Sequence, residues 1–447
     1  MVNPEPATAS PISAPLPATE VGSVFVSNYP PFSAWTLESL PEVHAALDSP
    51  PLPGATLGLY LHIPFCRKRC KFCYFRVYTD KDSQEIGAYL DALATEVELY
   101  AQKAAIAGRP LKFVYFGGGT PSYLSVRQLE GLVSRVQAAL PWTGAEEITF
   151  ECEPGTLTHS KLAAIRGIGV TRLSLGIENF DDEILKENGR AHLSTEIYRV
   201  LPWIAEMGFE QLNIDLIAGM VGETWETWRE TVRKTLEIEP DSVTVYQMEL
   251  PYNTVYSKSV LGGTFDLPLA DWPTKRAWHD YAFSELAAAG YVLSSAYTMV
   301  KPKGPSSRFV YRDAVWHGSD MVGAGVASFS HLSGVHFQNV AGWSEYLETL
   351  AERRLPLARG LAITGRERLT REMILQLKLG TLALPYFRDK FGVDVLAEFA
   401  PAWKRLQEEG KLRLGADEVT LTRAGLLEAD GLLPSFYDEK YRNARYT

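Results

Sequence analysis

Three cysteines lie within eight residues, Cys66-Arg67-Lys68-Arg69-Cys70-Lys71-Phe72-Cys73, in C-x3-C-x2-C spacing. Three thiolates on one short loop can wrap a single inorganic centre. Thiolate is a soft ligand, so zinc or an iron–sulfur cluster are the candidate centres. A structural zinc site closes with four ligands, usually paired knuckles or histidines. Here the one remaining cysteine is Cys152, there is no second knuckle, and His62 precedes the loop on its own strand. Three thiolates on a [4Fe–4S] cubane leave one iron without a protein ligand, open to a small chelating molecule. Arg67, Lys68, Arg69, Lys71 and Arg76 crowd the loop and favour thiolates and a negatively charged cluster. Two plainer readings stand beside this one: free cysteines in a basic loop, and a Cys70–Cys73 redox pair that leaves Cys66 without a role.

Other chemistry-bearing residues sit at the ends of apolar runs. Phe116-Gly117-Gly118-Gly119-Thr120-Pro121 offers glycines that let backbone groups approach a ligand closely. Glu151, in Phe150-Glu151-Cys152-Glu153, and Asp215, in Asn213-Ile214-Asp215-Leu216, are carboxylates within apolar stretches and are costly there unless partnered. Cys152 has the opposite strand parity to Glu151 and reads as a core cysteine. Glu178 closes Leu175-Gly176-Ile177-Glu178, and Arg190 follows in Glu187-Asn188-Gly189-Arg190. A guanidinium suits a carboxylate ligand by bidentate pairing.

The elements that must position these residues alternate in type. Strands are expected over 57–62, 112–116, 147–151, 171–175, 211–217 and 242–248, where short apolar, β-rich runs occur. Helices are expected near 83–104, 125–139, 160–167, 195–207, 223–237 and 274–289; in the first, Ile86, Tyr89, Leu90, Leu93, Val97 and Tyr100 share one face. Asp82 and Glu85 form a candidate capping box at its start. Six β–α repeats imply parallel strands with right-handed crossovers, as an open sheet or a partial barrel, and either places chemistry at the strands' carboxyl ends. Residues 1–20 are Pro/Ala/Ser-rich and read as a disordered tail; residues 21–56, with Phe25, Tyr29, Phe32 and Trp35, read as an irregular arm on the core. The core spans 57–290, a mixed Gly-rich extension 291–365, and a mostly helical domain 366–447. In that last domain a hairpin over 411–421 and a following helix give a winged-helix look.

The chain has 447 residues and a formal charge of −10, which argues against general binding to nucleic acid or anionic membranes. Clustered rather than dispersed cysteines point to a reducing cytosol. The N-terminus lacks a signal-peptide pattern, and no apolar run reaches the roughly 18 residues of a membrane span. Monomer is the default expectation.

C-x3-C-x2-C directly after a first strand resembles the radical S-adenosylmethionine (SAM) superfamily. The segment Leu59-Tyr60-Leu61-His62-Ile63-Pro64-Phe65-Cys66 resembles its oxygen-independent coproporphyrinogen III oxidase branch, and the likeness runs from about residue 57 to 440. It implies an α/β fold, a partial (β/α)6 TIM-type barrel with a smaller, mostly helical C-terminal domain. It implies a [4Fe–4S] cluster on Cys66, Cys70 and Cys73, with SAM on the open iron and a flavodoxin or ferredoxin as electron donor. By the same likeness Gly118, Gly119 and Thr120 hold the SAM amino group, Glu151 faces its ribose hydroxyls or methionine end, Glu178 contacts its ribose, and Arg190 faces its carboxylate. Glu178 stands where the family commonly has glutamine. Asp215 and the backbone of Met248 face adenosine, and Phe72 lines the cofactor site. Tyr60 lies near SAM and the cluster; it and Glu151 are the candidate catalytic residues. Gly323-Ala324-Gly325-Val326-Ala327-Ser328-Phe329 resembles the branch's segment near a second SAM, with Phe329 and Tyr311 as contacts; a packed Gly/Ala turn is the plain alternative.

The branch includes decarboxylases, carbon methylases and cyclopropanases, and haem-acting proteins. Coproporphyrinogen enzymes carry a further cysteine two places after the third ligand, where this chain has Phe75. The resemblance therefore favours carbon methylation or cyclopropanation of a flat aromatic or apolar small molecule, for which Tyr74, Phe75 and the aromatic arm are suited. Oxidative decarboxylation of coproporphyrinogen III, with Lys301, Lys303, Arg308 and Arg312 as possible carboxylate partners, is the alternative, and a haem-acting role is the third. The ligand assignment predicts that Cys73→Ala abolishes cluster loading after anaerobic reconstitution with iron and sulfide. Unchanged iron–sulfur absorbance in that variant would refute it.

Overall fold

The computed structural model describes residues 19–442 and 444. The expected tail over 1–20 lies outside this range except for Thr19 and Glu20, and Thr19 is docked: its hydroxyl donates to Ala270 O at 2.8 Å.

Six strands carry the expected apolar runs: β1 (Leu57–Ile63), β2 (Leu111–Gly118), β3 (Glu147–Cys152), β4 (Arg172–Glu178), β5 (Gln211–Ala218) and β6 (Ser242–Gln247). They pair in sequence order and in parallel. Helices Ser83–Ala101, Val126–Ala139, His159–Gly167, Ser194–Met207, Trp225–Ile238 and Trp272–Ala288 separate or follow them. The capping box at the first of these forms, with Asp82 accepting from the Gln84 and Glu85 amides and Glu85 reaching back. Strand parity divides the side chains. Leu59, Leu61, Val114, Phe116, Phe150, Leu173, Leu175, Ile214, Val243 and Val245 belong to the main core, whereas Tyr60, Tyr115, Glu151, Ser174, Asp215 and Tyr246 alternate with them and face the other way.

The sheet extends on both sides of this unit. β7 (Val292–Ser295) and β8 (Thr298–Val300) add antiparallel strands beyond β6. β9 (Asp320–Ala324) lies parallel to β1, and β10 (Phe329–Leu332), β11 (Val335–Asn339) and β12 (Leu357–Ala362) continue antiparallel. The resulting order, β12-β11-β10-β9-β1-β2-β3-β4-β5-β6-β8-β7, does not return on itself, so the barrel is partial and open. The mixed pieces over 291–345 thus join the same sheet as the six repeats. Residues 21–56 are less irregular than the sequence predicts, because helix Leu40–Leu47 buries Val43 and Leu47 there.

Helix Val310–Trp316 lies across the amino ends of the strands. Its first amides, Val310 N and Tyr311 N, each donate to the Glu147 carboxylate at 3.0 Å, a favourable place for an anion. Phe113, Val310 and Ala314, with Tyr311 and Met321, form a small apolar floor.

The C-terminal region is mostly helical, with a three-stranded antiparallel sheet of β13 (Thr381–Ala383), β15 (Glu418–Leu421) and β14 (Leu412–Leu414) in that order. The hairpin is the expected one; β13 is additional. A buried charge pair within this region holds the arm, and Arg276–Glu428 is one of the region's links to the barrel. Asp430 accepts from Lys378 at 3.0 Å and from the Val26 amide at 2.9 Å, and Lys378 donates to Val26 O at 2.7 Å. Among the described residues no helix is long and apolar enough to cross a membrane.

Several histidines are buried as neutral rings. Burial and Arg423 press His279 down from 6.5 to about 3, and burial with Arg371 lowers His331 and His336 well below 6.5. At these rings protons bind the unfolded chain more readily than the folded one, so their contribution to stability is lost as pH drops below about 6.5, while buried carboxyls raised by burial, Glu96 among them, act in the opposite direction. Thermal melts of His279→Gln beside the parent chain isolate one ring: the Tm difference should move in the variant's favour as pH falls from about 7.5 to about 5, and a difference that does not change with pH would contradict the burial of His279 as a neutral ring.

Candidate active site at the carboxyl ends of the strands

The cysteine loop leaves β1 and is tied down on both flanks. Cys66 N donates to Tyr78 O at 3.0 Å and Tyr78 N to Pro64 O at 2.7 Å. Gly119 N donates to Ile63 O and Thr120 N to Phe65 O, each at 2.8 Å, so the glycine loop after β2 is zipped to the start of the cysteine loop. Lys71 N reaches Asn188 O at 3.0 Å. Arg67 pairs with Glu153 at 3.0 Å, and Glu153 also meets His192 at 3.0 Å. Although burial alone would raise it, those two partners pull the Glu153 carboxyl down to about 2.

Cys66, Cys70 and Cys73 are free and half-buried, and Cys152 is buried apart from them. The Thr120 hydroxyl lies 3.4 Å from Cys66 Sγ, and Arg190 Nη1 lies 3.4 Å from Cys70 Sγ. A Cβ added at Gly119 would stand 3.0 Å from Cys66 Sγ, so the glycine keeps room beside the sulfur. Burial pushes the Cys66 thiol up to about 11 and the Cys73 thiol up to about 12. Sulfurs in such surroundings are costly as thiolates unless a metal centre shares their charge. Among the described residues no three His, Cys, Asp or Glu side chains close on one point as a single ion requires. Three thiolates can bind one iron each in a [4Fe–4S] cluster and leave the fourth iron open, whereas a structural zinc needs a fourth protein donor beside them. The donor set therefore fits a [4Fe–4S] cluster better than a lone zinc.

Next to the sulfurs lies a layer of charge. Arg190 Nη2 donates to Gly176 O at 2.7 Å and stands 3.5 Å from Glu178. Burial works against its charge, yet Cys70 and Glu178 hold it above the ordinary guanidinium range. Glu151 accepts from the Tyr115 hydroxyl at 2.7 Å and from Gly118 N at 3.2 Å, which are the partners its strand position demands. Burial raises Glu151 and Glu178 to about 7 each and moves Asp215 upward too. Asp215 accepts from Ser174 at 2.7 Å and Asn213 at 2.9 Å. Tyr60 stacks on Tyr115 at 5.6 Å, and Tyr115 packs on Tyr311 at 4.4 Å.

Phe72 belongs to a separate apolar cluster with Ile184, Ile217, Met220, Val221 and Met248, at the ends of β5 and β6. Met248 N donates to Ala218 O at 2.8 Å. The structure thus gathers Cys66, Gly119 and Thr120 on one side, and Cys70, Arg190 and Glu178 on another. Gly118, Glu151, Tyr60 and Tyr311 gather around Tyr115, and Phe72 lies with Met248. Phe329 stands apart from Tyr311. It packs on Phe32 at 4.2 Å and Trp35 at 5.7 Å, on the N-terminal arm.

Tyr115 and Tyr246 were not among the expected site residues. Each alternates with core residues on its strand, Tyr115 between Val114 and Phe116 and Tyr246 after Val245, and this alternation was the available signal. Lys301 and Lys303 do not face this site. They meet Glu239 and Asp241 at the amino end of β6, and Arg312 is buried against Asp313.

Residues 60–235 match the Radical SAM superfamily model, and residues 363–427 match the HemN C-terminal domain. A heme chaperone HemW from Lactococcus lactis is 30% identical over 335 residues, covering 74% of this chain and 84% of the relative. An oxygen-independent coproporphyrinogen III oxidase from Synechocystis is 27% identical over 421 residues, covering 89% of each. The solved coproporphyrinogen III oxidase of Escherichia coli superposes with a TM-score of 0.79 at 24% identity, covering 92% of this chain and 96% of that one, which shows the shared fold. With three cysteines in the superfamily's spacing, on the fold that carries them, this chain belongs to the HemN/HemW branch of the radical SAM superfamily, whose cofactors are a [4Fe–4S] cluster and SAM.

Proposed function

We propose that the chain is a radical SAM enzyme acting on a flat, aromatic or apolar small molecule of low negative charge, rather than a decarboxylase of coproporphyrinogen III. The observation that carries this is the composition of the lumen. Facing inward from β3, β4 and β5 are three carboxyls, Glu151, Glu178 and Asp215, with Arg190 beside Glu178, while Arg67 and Lys71 of the cysteine loop are already paired with Glu153 and Glu187. Arg172, one layer below, is engaged with Gln211 and Ser242. A substrate with several carboxylates would meet like charge in a poorly solvated space. Aromatic rings line the same opening: Tyr74 and Phe75 stack at 4.4 Å and are 41% and 45% exposed, and Tyr246 is 42% exposed. Exposed rings at a concave mouth are a surface for a flat partner.

In this reading Cys66, Cys70 and Cys73 hold the cluster, and Gly118, Gly119 and Thr120 offer backbone and hydroxyl groups to the SAM amino end. Arg190 pairs with its carboxylate, Glu151, Glu178 and Asp215 accept from its hydroxyls, and Phe72 and Met248 pack on its base. When bound, cluster and SAM together supply one-electron reductive cleavage of the sulfonium. The stacked Tyr60, Tyr115 and Tyr311 close the floor against water. One SAM molecule suffices, because Tyr311 and Phe329 sit in different surroundings. The relatives above are named as an oxidase and a chaperone, so the expected carbon methylation or cyclopropanation draws no support from them.

A second reading, haem binding, is favoured by the heme chaperone relatives. The test is anaerobic reconstitution of the full chain, then dithionite and methyl-deuterated SAM. Formation of 5′-deoxyadenosine is expected, and its absence would overturn the enzymatic reading. Coproporphyrinogen III is expected to keep its carboxyls; loss of two would restore the decarboxylase. Deuterium in a product would establish methylation, and a Soret shift on hemin titration would establish the haem reading.

A further inference from the structure

Lys275, on helix Trp272–Ala288, is a fully buried lysine that the site described above leaves unused. Its ammonium donates to Met248 O at 2.6 Å and to the Thr19 hydroxyl at 2.6 Å, and lies 3.8 Å from the centre of the Trp272 ring. Its stem runs beneath Gly219, where an added Cβ would come within 2.5 Å of Lys275 Cδ. Gly219 adopts φ +94° in the turn after β5, so both backbone shape and the passing lysine require glycine there. One side chain therefore braces the ends of β5 and β6 from behind.

The neighbouring Glu249 completes the brace. Its carboxylate accepts from Val24 N at 3.0 Å, Phe25 N at 3.1 Å and the Ser23 hydroxyl. Gly22 N donates to Leu250 O at 2.8 Å. The arm over residues 19–25 is thereby strapped to the backbone that follows β6. Met248 and Phe72, which the reading above places against the adenine, share one apolar cluster with Met220 and Ile217.

We infer that Lys275 is a positioning residue for the SAM adenosine, fixing the Gly219 and Met248 backbone that forms the adenine wall and coupling it to the N-terminal arm. This rests on the SAM reading above. A buried ammonium spends its donors on backbone carbonyl and hydroxyl oxygens; without it those acceptors lose charge-assisted bonds and the two turns lose their common strut. The effect is confined to the adenosine end, because Lys275 touches neither the cysteine loop nor Arg190.

Two variants test it on the full-length reconstituted chain. Lys275→Met keeps stem length without the charge, and Thr19→Val removes only the arm's contact. Lys275→Met should weaken binding of S-adenosylhomocysteine and of 5′-methylthioadenosine by about tenfold, while iron per chain and the cluster absorbance stay at wild-type levels. Hydrogen exchange should rise in residues 19–25 and 248–250. Thr19→Val should raise exchange in the arm with a smaller loss of affinity. Wild-type affinity for both nucleosides in a folded Lys275→Met chain would overturn the inference. So would equal loss of affinity and of iron, which marks a general structural role; should Lys275→Met not fold, Thr19→Val with unchanged affinity and exchange would overturn it. Because these readouts are binding and exchange, they are independent of whether the wild-type chain cleaves SAM.

Discussion

The proposed chemistry depends on holding three cysteines on a loop that has no helix or strand of its own. The loop lacks helical or strand hydrogen bonds to define it, so its shape is borrowed. Gly119 and Thr120 amides bind its first residues, Tyr78 closes its base, and Asn188 and Glu153 hold its far side. Each of these partners comes from the carboxyl end of a different strand or from the segment after it. The parallel barrel is thus what makes a short cysteine motif rigid, since only there do several strand ends point at one place.

The same geometry sets the charge of the interior. Lumen parity brings Glu151, Glu178 and Asp215 together from three successive strands, and burial raises all three. Such a cage is unfavourable when empty of cations and favourable around one, which suits the sulfonium and ammonium of SAM. In the proposed reading Arg190 is the counterpart for the carboxylate of SAM, and it stands 3.4 Å from Cys70 Sγ, beside the proposed cluster ligands. Charge therefore orients the ligand as much as shape does. Away from this cage the buried pair Lys378–Asp430 fixes the arm to the C-terminal region, and Glu147 fixes the floor helix to β3.

Much of this was legible in the sequence because the signals were local. The six apolar runs, the capping box at Asp82 and the cysteine spacing each depend on neighbours a few residues away. The carboxylates in apolar strands were legible as needing partners, but Tyr115 and Gly118 as those partners were not, since pairing across strands depends on register. β9 was illegible for a related reason: Asp320–Ala324 is a short Gly-rich run whose strand character comes from lying beside β1. Lys275 gave no signal, because a lysine in a helix is ordinarily solvated, and only the packing of Gly219 and Trp272 around it makes it a buried strut. Phe329 was singled out by a motif, and its packing on Phe32 and Trp35 of the arm was not legible because it joins residues about 300 positions apart.

The central claim, a cubane held by Cys66, Cys70 and Cys73 with one iron left for SAM, is tested most directly by Mössbauer spectroscopy of chain reconstituted with 57Fe. The account predicts a [4Fe–4S] spectrum in which adding SAM shifts the signal of about one iron in four, leaving the other three unchanged. A spectrum indifferent to SAM, or a chain that takes up a single metal ion instead of a cluster, would contradict it.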